Sequence, residues 1–156
     1  MKVHEILKQE YIIPRMQATN KEDAINELIN LFKNDKRVLD YEEICNCIQC
    51  REKIMSTGVG KGFAIPHGKT NATSEILGAF GIARTPIDYK SLDGEPVQLI
   101  FLLVGKDNMV SEHIKLLSRI SRMMNEDSFR EKLLQSETSE QILKVFKEEE
   151  DKLIDL

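Results

Sequence analysis

Apolar residues recur at three- and four-residue spacing in several parts of the chain, and this spacing predicts amphipathic helices. The first helix is predicted over Lys21–Lys33, with Asn20 as its N-cap. A second is predicted over Tyr41–Ile54, because Asp40 followed by Glu43 resembles a capping box. The helices predicted in the C-terminal third are Ser111–Met124, Ser128–Leu134 and Ser139–Glu149, the last with Thr138 and Gln141 as a capping box.

Other apolar runs are short and lack helical spacing, which predicts β-strands. The run Val97–Val104 is almost continuously apolar, as expected for a central strand covered by helices on both faces. Strands are also predicted over Ile76–Ala83 and Phe63–Ile65. Residues 11–18 are predicted to form a strand or a bend between strands, and residues 1–10 a short helical or extended entry. Together these patterns predict an α/β fold.

The composition narrows the class of protein. At 156 residues, with 41% hydrophobic residues, the chain is expected to form one domain over residues 1–150, with a frayed tail at 151–156. A net charge of −4 without a basic block gives no reason to expect nucleic-acid binding. No apolar run approaches the roughly 20 residues of a membrane span. Three cysteines and no signal-peptide core favour a reducing cytoplasm.

Glycines stand at alternate positions in the segment that follows the second predicted helix. Glycine tolerates positive φ and lets backbone N–H groups approach an anion closely. Gly60 and Gly62 are therefore candidates for a phosphate-binding loop.

His67 is the best candidate for chemistry in the chain. The short strand before it is expected to stop at Pro66, which has no backbone N–H to donate. His67 is then expected at a strand end, with Gly68 leaving the backbone beside it uncovered and able to bind an anion. A nucleophilic imidazole that meets a phosphoryl group needs such a setting. The alternative is that Pro-His-Gly is simply a turn, since these residue types are common in turns.

Two other residues are candidates for the same site. Arg51 lies on the apolar face of the second helix, three residues after Ile48, where it must reach water or meet an anion. His113 is predicted in the first turn of the helix that follows the central strand, and helix N-termini favour anions. Each has a structural alternative: an edge arginine for the first, a core-edge histidine for the second.

Several motifs match only in part. Cys45, Cys47 and Cys50 lack the further ligands that a zinc site needs, so they are interpreted as helix cysteines and no metal is predicted. Gly68-Lys69-Thr70 resembles the end of a P-loop, but the required earlier glycine is Phe63. No G-x-S-x-G motif occurs. A histidine that is itself the nucleophile remains as the leading hypothesis.

The chain resembles the IIA components of the bacterial phosphoenolpyruvate-dependent sugar phosphotransferase system, of the fructose/mannitol/nitrogen-regulatory type. The resemblance covers nearly the whole chain and is weak before Asn20. It is carried by Arg51–Gly68 (REKIMSTGVGKGFAIPHG), Ile87–Tyr89, Leu92–Val97 and Ser111–Leu117.

The resemblance implies a fold and a function. The fold is a mixed, mostly parallel central sheet with helices on both faces. His67 would accept a phosphoryl group from the phosphocarrier HPr and pass it to a IIB component. His113 would help to hold the phosphoryl group, and Arg51 would neutralise its charge. Such transfer depends on positioning and charge stabilisation, so no cofactor is expected.

Three interpretations follow at this point, and the third, a family relative that has lost activity, is disfavoured because Arg51, His67 and His113 are all retained. The first is a phosphocarrier in sugar uptake, and the second is a nitrogen-regulatory IIA whose phosphorylation state controls binding partners. Both use the same site, so the site residues do not separate them. The sugar, the IIB partner and the oligomeric state do not follow from the sequence either.

Overall fold

The computed structural model describes residues 1–154, in which most of the strands lie in the middle of the chain and helices lie on either side of them. The strands are β1 Ile12–Met16, β2 Gly58–Gly60, β3 Phe63–Ala64, β4 His67–Lys69, β5 Leu77–Ile87 and β6 Val97–Gly105. The helices are α1 Val3–Ile6, α2 Lys21–Ile29, α3 Tyr41–Ile54, α4 Val110–Met124, α5 Asp127–Gln135 and α6 Ser139–Ile154. Two 3₁₀ turns occur, at Gln9–Tyr11 and Asn30–Phe32.

The strands form one sheet in the order β1-β5-β6-β3-β2, and β4 also pairs with β6. The pairs β1–β5, β3–β6 and β4–β6 are parallel, whereas β5–β6 and β2–β3 are antiparallel. The sheet is therefore mixed and mostly parallel in its core, as expected. The predicted central strand, β6, has neighbours on both sides, and its apolar character reflects this position.

Each face of the sheet is covered by helices, so the chain folds as a single α/β domain with two apolar layers. On one face α1, α4, α5 and α6 pack against the sheet; the side chains that they bury include Val3, Ile6, Leu116, Ile120, Phe129, Ile142 and Phe146. On the other face α2 and α3 pack against it; their buried side chains include Ala24, Ile25, Leu28, Ile44 and Ile48.

The predicted N-caps of three helices are confirmed. In each, the side chain of the cap accepts a hydrogen bond from the backbone N–H three residues ahead, which satisfies a donor that the helix leaves free. The distances are 2.9 Å for Asn20 and Asp23, 3.2 Å for Asp40 and Glu43, and 3.1 Å for Thr138 and Gln141.

Some helix boundaries differ from the predicted ones. α2 ends at Ile29 and its last predicted residues form a 3₁₀ turn instead. α6 runs to Ile154, beyond its predicted end at Glu149, so the segment predicted as a frayed tail is helical at 151–154. Its last two residues, 155–156, lie outside the described residues. No helix in the described part of the chain is both long and apolar enough to cross a membrane.

The strand before Pro66 ends as predicted, but the prediction that His67 stands at the end of a strand is wrong, because His67 begins a new one. β3 ends at Ala64, but pairing with β6 resumes at His67, which lies opposite Leu103. The N–H of Leu103 donates to the carbonyl oxygen of Pro66 at 3.0 Å. Proline lacks a donor but keeps its acceptor, so the sheet continues past it.

Candidate active site

A cleft of about 390 Å³ lies where β4, α3 and the start of α4 meet. The sequence-predicted residues Arg51, His67, Gly68 and His113 all line it. The remaining lining residues are Cys47, Lys69, Asp107 and Leu117. The structure thus brings Arg51 and His113, which are 62 positions apart in the chain, into one cleft at the carboxyl-terminal end of β6.

His67 begins β4, and a backbone carbonyl two residues earlier in the chain holds its ring. Its Nδ1 lies 2.7 Å from the carbonyl oxygen of Ile65. Because a carbonyl oxygen only accepts, Nδ1 must carry the proton, and Nε2 keeps the free electron pair. Burial lowers the pKa of His67 below its usual value; the hydrogen bond to Ile65 opposes this shift, and the charge of Arg51 adds to it. The ring is therefore neutral near pH 7 and nucleophilic at Nε2.

His113 faces His67 from the first turn of α4, with the two ring centroids 5.8 Å apart. It is only 3% exposed, and burial lowers its pKa to about 4, with the charges of His67 and Lys69 adding to the shift. Within the described residues, Nδ1 of His113 is buried without a hydrogen-bond partner. An N–H there would have no acceptor, so the ring proton is better placed on Nε2.

Gly105, the last residue of β6, makes room for His113. A Cβ atom at this position would lie 2.3 Å from Nδ1 of His113, which no real contact allows. Sequence reasoning did not select Gly105, although a glycine that ends a buried apolar strand is a signal for close approach by a neighbour.

Arg51 projects from the last turn of α3, and its Nη1 donates to the carbonyl oxygen of Met55 at 2.9 Å. A guanidinium has five N–H donors, so this bond leaves others free for an anion. Lys69 lines the cleft as well, and its positive charge accompanies that of Arg51. Asp107 is the acidic residue that lines the cleft.

Gly60 and Gly62 lie away from the cleft, contrary to the prediction. Gly60 and Gly62 flank Lys61 in the turn between β2 and β3, where all three have positive φ. Gly62 accepts from the N–H of Leu99, four residues before the partner of His67 on β6, so this turn lies about 13 Å from His67 along the strand. The assignment of Gly60 and Gly62 to the phosphate-binding loop is not compatible with this placement.

Gly68 lies in the cleft but its backbone is not open, contrary to the expectation. It is buried, and a Cβ atom there would lie 2.7 Å from Sγ of Cys47. The glycine therefore allows α3 to pack closely over β4 and bring Arg51 toward His67.

The three cysteines of α3 have separate surroundings. Cys45 is half-buried and packs against the α2–α3 core, Cys47 contacts the carbonyl oxygen of Lys69 at 3.2 Å, and Cys50 is exposed. No cluster of three or more potential metal ligands occurs in residues 1–154. Cys47 is a lining residue that sequence reasoning did not assign to the cleft; its only signal was its place one helical turn before Arg51.

Comparison with known proteins identifies the family. Residues 5–149 match the family described as "Phosphoenolpyruvate-dependent sugar phosphotransferase system, EIIA 2". The chain belongs to this EIIA family. Its members are phosphotransfer proteins, and the fold and the resemblance predicted above are thereby confirmed.

Relatives in the EIIA family carry two kinds of name. The chain is 34% identical to the "Nitrogen regulatory protein" of Bradyrhizobium diazoefficiens, over 93% of this chain and 94% of that protein. It is 32% identical to the "PTS system fructose-specific EIIABC component" of Bacillus subtilis, over 93% of this chain but only 23% of that protein. The chain thus spans less than a quarter of the fructose-specific relative.

Solved structures show the same fold. The nitrogen regulatory protein IIA-Ntr of Neisseria meningitidis is 32% identical, with a TM-score of 0.86 over 92% of this chain and 98% of that one. Mannitol IIA of Escherichia coli, in its complex with phosphorylated IIB, is 18% identical, with a TM-score of 0.78 over 91% of this chain and 99% of that one. At that identity the second match shows the fold alone.

Proposed function

We propose that this EIIA protein is a cytoplasmic phosphocarrier that accepts a phosphoryl group from phospho-HPr on Nε2 of His67 and passes it to a second protein. The observation that carries the proposal is the hydrogen bond from Nδ1 of His67 to the carbonyl oxygen of Ile65 at 2.7 Å. It makes Nε2 the nucleophilic nitrogen of a ring that lines an open, positively charged cleft.

The step is a direct displacement at phosphorus. The lone pair of Nε2 forms the new N–P bond, while the bond between phosphorus and the donor breaks and its electron pair leaves with the donor. The imidazole gains positive charge as this bond forms. The carbonyl oxygen of Ile65, which accepts from Nδ1–H, stabilises that charge and holds the ring in place. Transfer onward to the acceptor reverses the same steps.

His113 and Arg51 stabilise the phosphoryl oxygens. His113 is neutral at pH 7 because its pKa is about 4, and with no acceptor at Nδ1 it presents its proton on Nε2. It therefore acts as a hydrogen-bond donor and not as a competing cation or nucleophile. Arg51 supplies the formal charge and several donors from one planar group. Donors that are already in place lower the barrier because they need no reorganisation.

Two roles are open to the phosphorylated protein. In the first, the phosphoryl group passes to a IIB component of fructose or mannitol type, since the fructose-specific relative carries A, B and C components in one name. In the second, the phosphorylation state of His67 controls which partner proteins the chain binds, a role favoured by the match to nitrogen regulatory proteins over nearly their whole length. The same phosphorylated His67 serves either role.

The proposal is tested by incubating the purified chain with phosphoenolpyruvate, enzyme I and HPr and measuring its intact mass. We expect an acid-labile gain of one phosphoryl group that requires HPr. His67→Ala should abolish it and change the free energy of unfolding by less than about 1 kcal/mol, since the half-exposed ring adds little to the core. His4→Asn serves as the histidine control and should be labelled normally. Labelling of the His67→Ala protein would overturn the proposal.

A second measurement separates the two roles. Phosphorylated protein is mixed with purified IIB components of fructose and mannitol type, and the loss of its phosphoryl group is followed. Transfer within seconds to a IIB component supports sugar uptake. Stable phosphoprotein in the presence of both supports the regulatory role.

A further inference from the structure

Next to Arg51 in the chain lies a buried carboxylate that the proposed transfer does not use. Glu52 is 5% exposed. Consecutive helical residues point about 100° apart, so Glu52 faces the interior while Arg51 lines the cleft. Nζ of Lys21, in α2, lies 2.8 Å from Oε1 of Glu52. This ion pair compensates a charge whose burial is otherwise unfavourable.

Both oxygens of the Glu52 carboxylate accept hydrogen bonds from Thr57. The backbone N–H of Thr57 donates to Oε1 at 2.9 Å, and its hydroxyl donates to Oε2 at 2.6 Å. Because the hydroxyl has one proton and gives it to Glu52, Thr57 Oγ1 must accept from the hydroxyl of Tyr89, at 3.2 Å. These bonds fix the backbone and the side chain of Thr57 together.

Thr57 stands between the contacts that hold the two site residues. Its carbonyl oxygen accepts from the N–H of Ile65 at 3.1 Å, and the carbonyl of Ile65 in turn accepts from Nδ1 of His67 at 2.7 Å. Two residues before Thr57, the carbonyl of Met55 accepts from Nη1 of Arg51 at 2.9 Å. A shift of Thr57 therefore moves the acceptors of both His67 and Arg51.

We propose that Glu52 and Thr57 are positioning residues that decide which ring nitrogen His67 presents to the phosphoryl group. This inference rests on the proposed function of His67. Neither residue touches the cleft. They act by holding Ile65, whose carbonyl keeps the proton on Nδ1 of His67 and so leaves Nε2 unprotonated.

The test replaces Thr57 by valine, which has the same shape without the hydroxyl, and by serine, which keeps the hydroxyl. Ring nitrogen shifts of His67 are measured by NMR on the unphosphorylated protein labelled with ¹⁵N-histidine. In the unaltered chain we expect the Nδ1–H tautomer alone. Thr57→Val should give a mixture of tautomers and slow phosphorylation by HPr about 10-fold at saturating HPr, because small displacements of a nucleophile are costly. In Thr57→Ser, which keeps the hydroxyl, the tautomer should be that of the unaltered chain and the phosphorylation rate should lie within about twofold of it.

Glu52→Gln provides a second variant, which removes the charge and keeps the size. It should shift the His67 tautomers in the same direction as Thr57→Val. Phe129→Leu, in the core on the opposite face of the sheet, is the control for a general loss of stability. It should lower the melting temperature without changing the tautomers or the rate.

The two proposals fail in distinguishable ways. Tautomers that shift in Thr57→Val, in a chain that HPr does not phosphorylate, would support the positioning role and overturn the proposed function. A chain that is phosphorylated normally, with unchanged tautomers and rates in Thr57→Val and Glu52→Gln, would overturn the positioning role alone. A rate loss that Thr57→Ser does not rescue would also overturn it.

Discussion

Glu150 and His113 are both buried in helices that cover the same face of the sheet, yet their hydrogen bonds differ. Glu150, in α6, accepts from the N–H groups of Val3 and His4 at 2.6 and 3.0 Å and from the ring of His4 at 2.6 Å. His113 has a buried ring nitrogen with no partner among the described residues, a condition shared there only with the hydroxyl of Ser91. The first group is fully satisfied, and the second is not.

The difference separates a structural group from a candidate functional one. Burial by itself raises the pKa of Glu150, but hydrogen bonds from His4 and Val3 lower it further than burial raises it, so the ionised form is stabilised. Burial lowers the pKa of His113 and nothing opposes the shift. A buried polar group without partners costs stability, and such groups concentrate where a ligand is bound. Their variants should therefore affect different properties.

The largest effect is expected for Glu150→Ala. It removes the acceptor of two backbone donors and the partner of His4, so the free energy of unfolding should fall by about 4 kcal/mol in urea denaturation. The phosphorylation rate of the folded protein should stay within about twofold. Glu148→Ala, exposed on the same helix, is the control and should change stability by less than about 0.5 kcal/mol. An equal loss of stability in the two variants would contradict the structural role of Glu150.

The second prediction concerns pH. The pKa of His113 falls from 6.5 unfolded to about 4 folded, so between these values the unfolded chain binds more protons. The contribution of His113 to stability should therefore drop by about 3 kcal/mol as pH falls from 6.5 to 4, and the lowered pKa of His67 adds a further drop in the same direction. Urea denaturation across this range should show the drop, reduced in His113→Gln. The pKa of Glu150 is lowered from 4.5, so the stability that its ionised form contributes is lost at lower pH than the contribution of His113. An unchanged slope in His113→Gln would contradict the assignment.

The third prediction concerns transfer. His113→Ala should slow phosphorylation by HPr about 100-fold, as for the loss of one oriented donor, which corresponds to about 2.7 kcal/mol. The free energy of unfolding should fall by less than about 1 kcal/mol, because the variant also removes the unpaired Nδ1. Rapid-quench kinetics and urea denaturation measure the two quantities. Equal losses of rate and stability would mean that His113 is merely a core residue.

The smallest effect is expected at Arg51. Arg51→Ala should slow transfer about 10-fold, and Arg51→Lys about threefold, since an ammonium replaces the charge but not the planar set of donors. Lys53→Ala, exposed on the same helix, controls for a general loss of positive charge and should leave the rate within twofold. Equal rates for the alanine and lysine variants would argue against contact between Arg51 and the phosphoryl group.

Local signals in the sequence predicted much of the fold. The apolar run at β6, the helical stripes and the caps at Asn20, Asp40 and Thr138 all correspond to observed elements. Each depends on residues close together in the chain. The prediction for His67 failed because it considered only the N–H that Pro66 lacks. The carbonyl oxygen of Pro66 still accepts a hydrogen bond from β6.

The site was predictable in part for the same reason. Arg51, His67 and His113 carry unusual chemistry in their local context, and the cleft contains all three. The roles of Gly60 and Gly68 depend on the side chains that pack against them, Asp93 and Cys47 respectively, and the sequence does not show which distant residue approaches a given glycine. The link from Glu52 through Thr57 to His67 likewise exists only once the strands are paired.

The most direct test of the account is to locate the phosphoryl group itself. The chain, labelled with ¹⁵N-histidine and phosphorylated through enzyme I and HPr, is examined by ¹H–¹⁵N correlation NMR of its ring nitrogens. We expect one phosphorylated nitrogen, Nε2 of His67, with Nδ1 still protonated and His113 neutral and unmodified. A phosphoryl group on Nδ1 of His67, or on His113, would contradict the assignment of the nucleophile from the Ile65 hydrogen bond.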